Sequence, residues 1–187
     1  MNIRTRLCVL GLATLLSACK SPPKPPVLLP SVQLQQAQQW QGHLSVKLGA
    51  FVTLPADGQS FTFFLKATTG EGQLDLMTPL GTQLAQVTWN KQSAHLDSSE
   101  GRSSYGSLNE LSAQLLGEDI PVQALPHWLQ GIPAPDLATS KVLADHSGFE
   151  QAGWQIDTHL LTQGKLQATR TETANQRLIT LKVRLEQ

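Results

Sequence analysis

From Gly42 onward, apolar and polar residues alternate with a period of two in several separate runs. Leu44, Val46 and Leu48 alternate with His43, Ser45 and Lys47, and Phe61, Phe63 and Leu65 with Thr62, Phe64 and Lys66. Leu74 and Leu76 alternate with Gln73 and Asp75, and Ala85, Val87 and Trp89 with Gln86 and Thr88. Asp57-Gly58 and Thr69-Gly70 are the expected turns between runs. One apolar and one polar face per strand predicts an antiparallel meander with a single buried side. The same alternation returns at Trp154, Ile156 and Thr158, and most clearly at Ile179, Leu181, Val183 and Leu185.

Between the strand runs the period lengthens. Ser107-Leu-Asn-Glu110 reads as a capping box, which opens a helix through Leu116 that Gly117 ends. A second helix is expected from Pro121, a favoured first-turn residue, to Gln130, with Gly131 closing it and Pro126 kinking or dividing it. Leu34, Ala37 and Trp40 at helical spacing predict a further short helix over Val32–Trp40. Strands, then helices, then strands give an α+β fold, with helices packed on one face of a curved antiparallel sheet. Such a sheet can enclose an apolar hollow, filled or open.

The N-terminus follows other rules. Arg4 and Arg6 precede an apolar run, Leu7 to Leu16, that is too short to span a bilayer and reads as a signal segment. Leu16-Ser17-Ala18-Cys19 then resembles the bacterial lipobox, in which the cysteine is acylated and becomes the first mature residue. The expected organisation is a signal peptide over 1–18, a lipidated Cys19 with a proline-rich tether to residue 30, and one domain over 31–187.

Removing residues 1–18 from the 187 takes away Arg4 and Arg6 and no acid, leaving 12 basic against 14 acidic side chains of the original 14 and 14. A formal charge near −2 argues against nucleic acid and against a polybasic membrane patch. Cys8 leaves with the signal segment and Cys19 is acylated, so neither a disulfide framework nor a thiolate metal site is expected.

Enzyme signatures are missing from the sequence, and no cofactor is expected. Gly101-Arg-Ser-Ser-Tyr-Gly106 has no serine in Gly-x-Ser-x-Gly register and reads as a polar turn before a helix. His43, His95, His127, His146 and His159 lack metal-ligand spacing, and Asp119, Asp145 and Asp157 form no recognisable carboxylate pair.

Met77-Thr78-Pro79-Leu80-Gly81-Thr82 separates two strand runs. Pro79 and Gly81 suit positions i+1 and i+3 of a type I turn, which puts Leu80 at i+2, on the tip. A leucine there either folds back onto the sheet or stands exposed for another surface to cover.

Five segments together resemble the outer-membrane lipoprotein receptor family LolB. They are the lipobox ending at Cys19, Trp40-Gln-Gly-His-Leu-Ser-Val46, Leu76-Met-Thr-Pro-Leu-Gly81, Leu125-Pro-His-Trp-Leu-Gln-Gly-Ile-Pro133 and Phe149-Glu-Gln-Ala-Gly-Trp154. The resemblance implies an incomplete antiparallel β-barrel with helices lidding an apolar cavity, and an exposed leucine loop at Pro79-Leu80-Gly81 that meets the membrane. It implies a monomeric receptor on the periplasmic leaflet of the outer membrane. Acylated lipoproteins would come to it from a soluble periplasmic carrier and pass into that membrane. Leu65, Gly164-Lys165 and the C-terminal Leu185-Glu186-Gln187 depart from the family pattern. Candidate acyl-cavity residues are Leu44, Val46, Phe61, Phe63, Leu74, Leu76, Trp128, Leu129, Trp154 and Ile156, though plain core packing accounts for each singly. The alternative is an outer-membrane lipoprotein that binds another lipid or scaffolds a cell-envelope complex.

Overall fold

In the computed structural model the described residues are 37–143 and 147–186. The leader, Cys19, the tether, Asp145 and His146 lie outside them.

Alternating sequence runs become strands of one sheet. In chain order these are β1 (Gln38–Leu48), β2 (Asp57–Thr68), β3 (Glu71–Met77), β4 (Gln83–Trp89), β5 (Ala94–Ser98) and β6 (Gly101–Tyr105). After the helices come β7 (Thr139–Val142), β8 (Gly148–Gln151), β9 (Trp154–Asp157), β10 (Lys165–Arg170) and β11 (Ile179–Leu185). The sheet has 11 strands in the order β6-β5-β4-β3-β2-β1-β11-β10-β9-β8-β7. Every neighbour pair is antiparallel, and β1 joins the N-terminal meander to β11. The outermost strands β6 and β7 do not pair with each other, so the curved sheet is an open barrel. This is the expected α+β architecture.

Gly42 is needed at the β1–β11 seam. Its φ is +155°, and a Cβ there would stand 2.1 Å from the carbonyl oxygen of Arg184. Any side chain would push the two strands apart.

Helix α1 (Leu108–Leu116) is capped as expected: Ser107 Oγ accepts the Glu110 N–H, and Gly117 ends it with φ 68°. The returning Glu110 carboxylate accepts the Gly106 N–H at 2.8 Å, one residue before the cap. The second helix is shorter than its pattern. A 3₁₀ turn (Val122–Ala124) leads into α2 (Leu125–Trp128), so the division falls just ahead of Pro126, which sits in the first turn of α2 where its missing N–H costs nothing.

Three other expectations are corrected. Gln38, Gln39 and Trp40 are not helical but pair with Ala67, Lys66 and Leu65 of β2; the rest of that expected helix, 32–36, lies outside the described residues. Ladder bonds along a long neighbour strand outweigh a weak helical period. Asp57-Gly58 opens β2 instead of turning, and the tight turn falls earlier, where Phe51 and Leu54 bond each other across Val52 and Thr53. Gly101–Tyr105 is not a polar turn but the edge strand β6, whose exposed polar residues suit a strand with a free side.

The inner face of the sheet carries the apolar phase of each run, and α1, α2 and the segment between them fill the concavity. Because the strands alternate in direction, the β1–β2, β3–β4, β5–β6 and β10–β11 connections all leave the same rim.

Candidate functional site

Leu44, Val46, Phe63, Leu74, Trp128, Leu129, Trp154 and Ile156 are buried in one continuous core, against which Leu76 packs partly exposed. Val46 and the half-buried Phe61 also line a cleft of about 90 Å³ between the end of α1 and the β1–β2 hairpin. Leu48, Leu115 and Leu116 add apolar walls, and Asp57, Gly58, Gln59 and Arg177 form the polar remainder. Leu115, one of the lining residues, is 49% exposed. Leu48 belongs to the apolar phase of its run, whereas periodicity did not single out Leu115 and Leu116 for this cleft, because a position on a helix end carries no sign of which strands will face it.

The β3–β4 connection is a three-residue hairpin loop. Gly81 N–H bonds Thr78 O at 2.9 Å, and Thr78 N–H bonds Thr82 O at 2.8 Å. Thr82 N–H also bonds Thr78 Oγ1 at 3.1 Å. Pro79 has the φ the first corner needs, and Gly81 takes φ +86° with open space around it. Leu80 between them is 95% exposed. Burying such a side chain is worth roughly 1.5–3 kcal/mol, which the fold leaves unclaimed.

A buried ionic network braces the helical side of the cleft. Glu118, just past α1, pairs with Arg170 of β10 and, at 2.9 Å, with Arg177. Arg177 also donates to Leu116 O at 3.2 Å, holding the last turn of α1, and Arg170 donates to Asp119 O at 3.2 Å. The Arg170 guanidinium lies 5.8 Å from the centre of the Trp154 ring, whose own centre is 6.0 Å from that of Trp128. The strand Leu166, Ala168, Arg170 puts a charge on an inward phase, and that is the signal a sequence reading could have used.

On the outer face of the sheet, β1, β11, β10 and β9 form a groove of about 390 Å³. Lys165 stands directly opposite Arg184, which also faces His43, while Lys182 faces Ser45 and Gln167. No ion pair found among the described residues engages Lys165, Lys182 or Arg184. Like charges facing each other destabilise a sheet, so the Lys165–Arg184 pairing costs the fold, and Asp157 is the acidic side chain that lines the groove beside them. Lys182 and Arg184 share a face of β11 by simple alternation, and strand pairing brings Lys165 to them.

A family profile described as Outer membrane lipoprotein LolB matches residues 36–187. The chain belongs to the LolB family. The outer-membrane lipoprotein LolB of Alkalilimnicola ehrlichii is 32% identical over 162 residues, covering 82% of this chain and 80% of that protein. The outer-membrane lipoprotein LolB of Pseudomonas paraeruginosa is 33% identical over 129 residues, covering 67% of this chain and 61% of its own length. The LolB match spans the whole described sheet, including the Leu80 hairpin and both halves of the ionic network. Among the described residues no helix is long and apolar enough to cross a membrane.

Proposed function

We propose that this chain receives the acyl anchor of lipoproteins from a soluble periplasmic carrier and releases it into the outer membrane, to which acylated Cys19 tethers it. The observation that carries the reading is Leu80, held 95% exposed on a short, hydrogen-bonded hairpin of a LolB-family domain. Each methylene of an acyl chain is worth about 0.8 kcal/mol on burial, so a multi-chain anchor does not cross water bare. The cleft beside Val46, Leu48 and Phe61 is the entry for such chains. The interior is filled by Trp128 and its neighbours, so accommodation requires α1 to move away from the β1–β2 hairpin. Direction comes from relative affinity, with the carrier weaker than the receptor and the receptor weaker than the bilayer. The outer groove with Lys165, Lys182 and Arg184 is where an acidic surface of the carrier docks.

The test mixes residues 20–187 with a carrier already loaded with a lipoprotein and follows the cargo, first to this domain and then to added vesicles. Transfer in both steps is the expected result. Cargo that stays on the carrier while the domain is folded overturns the receptor reading and leaves storage of another lipid, or a scaffold role, in its place.

A further inference from the structure

The rim that carries Leu80 has a second apolar hairpin. The β1–β2 connection, Gly49-Ala-Phe-Val-Thr-Leu-Pro-Ala56, contains no charged residue, and neither does the Leu80 loop from Thr78 to Leu84. Val52 at its tip is 89% exposed, Leu54 beside it 49%, and Leu178, whose carbonyl accepts the Gly49 N–H, 39%. Val52 also has φ 51°. A β-branched residue is costly in the left-handed region, and glycine or asparagine would sit there without that cost. The position therefore carries an exposed aliphatic side chain at the expense of local stability. The β2 ladder places the two hairpins side by side: Met77, which ends β3, pairs with Thr62, so Asp57 to Phe61 continue past it toward the same rim.

We propose that Val52, with Leu54 and Leu178, forms a second membrane contact that enters the lipid leaflet together with Leu80. The proposal rests on the reading of Leu80 as a membrane-facing loop and extends it to a two-point attachment. A bilayer is the occupant because both features are uncharged hairpin tips, each led by an aliphatic side chain, Val52 and Leu80, that is 89% and 95% exposed. A fluid apolar phase accepts separate tips without shape complementarity. The other connections on this rim do not share the character: Ser98–Gly101 contains Glu100, the stretch leading to Leu178 contains Glu172, and the β8–β9 turn has only Ala152 and Gly153 at its tip. Two contacts fix the orientation of the domain on the membrane, which one tip does not, and hold the neighbouring cleft at the lipid surface.

The experiment uses the full lipidated chain in vesicles of phosphatidylethanolamine and phosphatidylglycerol that contain nitroxide-tagged acyl chains. Val52→Cys, Leu80→Cys and Ser99→Cys each carry an environment-sensitive fluorophore. The chain's own cysteines are Cys8 and Cys19, so on the proposed processing the added thiol is the only free one. Quenching at 52 and 80 but not at 99 is the expected result. Quenching at 80 alone overturns the second contact and leaves the Leu80 reading intact, whereas quenching at 52 alone removes the Leu80 reading and with it the two-point attachment. Quenching at neither, or at all three, overturns the proposal. As a second measurement, Val52→Asn keeps or raises Tm and slows cargo delivery to vesicles by about tenfold. Delivery at the parent rate by that variant overturns the proposal as well.

Discussion

The indole N–H of Trp128 donates to Gln151 Oε1 at 2.9 Å, and both side chains are fully buried. Gln151 also accepts from Ala134 N–H at 2.9 Å and donates to Ala134 O, Leu137 O and Thr139 Oγ1 at 2.8, 3.1 and 2.9 Å. One amide therefore satisfies the helix α2 tryptophan, the loop that follows it and the start of β7. The Gln151-Ala-Gly-Trp154 segment is a two-residue hairpin turn with Ala152 and Gly153 both at positive φ, which sets Gln151 and Trp154 opposite each other.

Replacing Gln151 with Leu strands two buried N–H donors, each worth about 1–3 kcal/mol. The expected loss is about 2–4 kcal/mol and about 10 °C in Tm for a domain of this size. Trp128→Phe combined with Gln151→Leu will lose less than the two single changes added together. Thermal unfolding of the four proteins in the cycle measures this, and strict additivity would deny the coupling.

Glu118→Gln leaves Arg170 and Arg177 buried without their shared carboxylate. Breaking such a pair from one side costs about 3–5 kcal/mol. Chemical denaturation should show that loss, together with faster hydrogen exchange in the last turn of α1, where Arg177 holds Leu116 O. A loss below about 1 kcal/mol would mean that the network is solvated in solution.

Leu80→Glu touches nothing in the fold, so its stability should stay within about 0.5 kcal/mol of the parent. On the proposed function, cargo acceptance from the carrier continues while delivery to vesicles falls sharply. Unchanged delivery removes Leu80 from the release step.

Lys182→Glu with Arg184→Glu reverses the charge of the outer groove without altering buried contacts. Transfer from the carrier should slow by about tenfold or more at low salt, with the difference narrowing as ionic strength rises. A salt-independent rate in the parent protein would place docking elsewhere.

Val46→Phe puts a ring into the cleft that Val46 and Phe61 line. Overpacking is expected to cost about 1–3 kcal/mol. Binding of a fluorescent long-chain acyl probe should fall further than that loss explains, because the added ring occupies the proposed entry.

The period-two runs were enough to announce β1 to β4, β9 and β11, though of their expected turns Thr69-Gly70 held and Asp57-Gly58 did not, and the cap of α1 was readable residue by residue. Local patterns of this kind survive into the fold because burial of one strand face and satisfaction of a helix end are decided within a few residues. The Pro79-Leu80-Gly81 turn was legible for the same reason. Strands β5, β6, β7, β8 and β10 were not, being short, polar or at an edge, and Gln38–Trp40 followed the pairing of β2 against its own helical spacing. Tertiary structure alone decided which residues meet. It put Glu118 between Arg170 and Arg177, brought Lys165 of β10 beside Lys182 and Arg184 of β11, and set the uncharged Val52 and Leu80 hairpins on one rim. These are consequences of strand order and register, which depend on contacts between distant segments, and no local pattern encodes them.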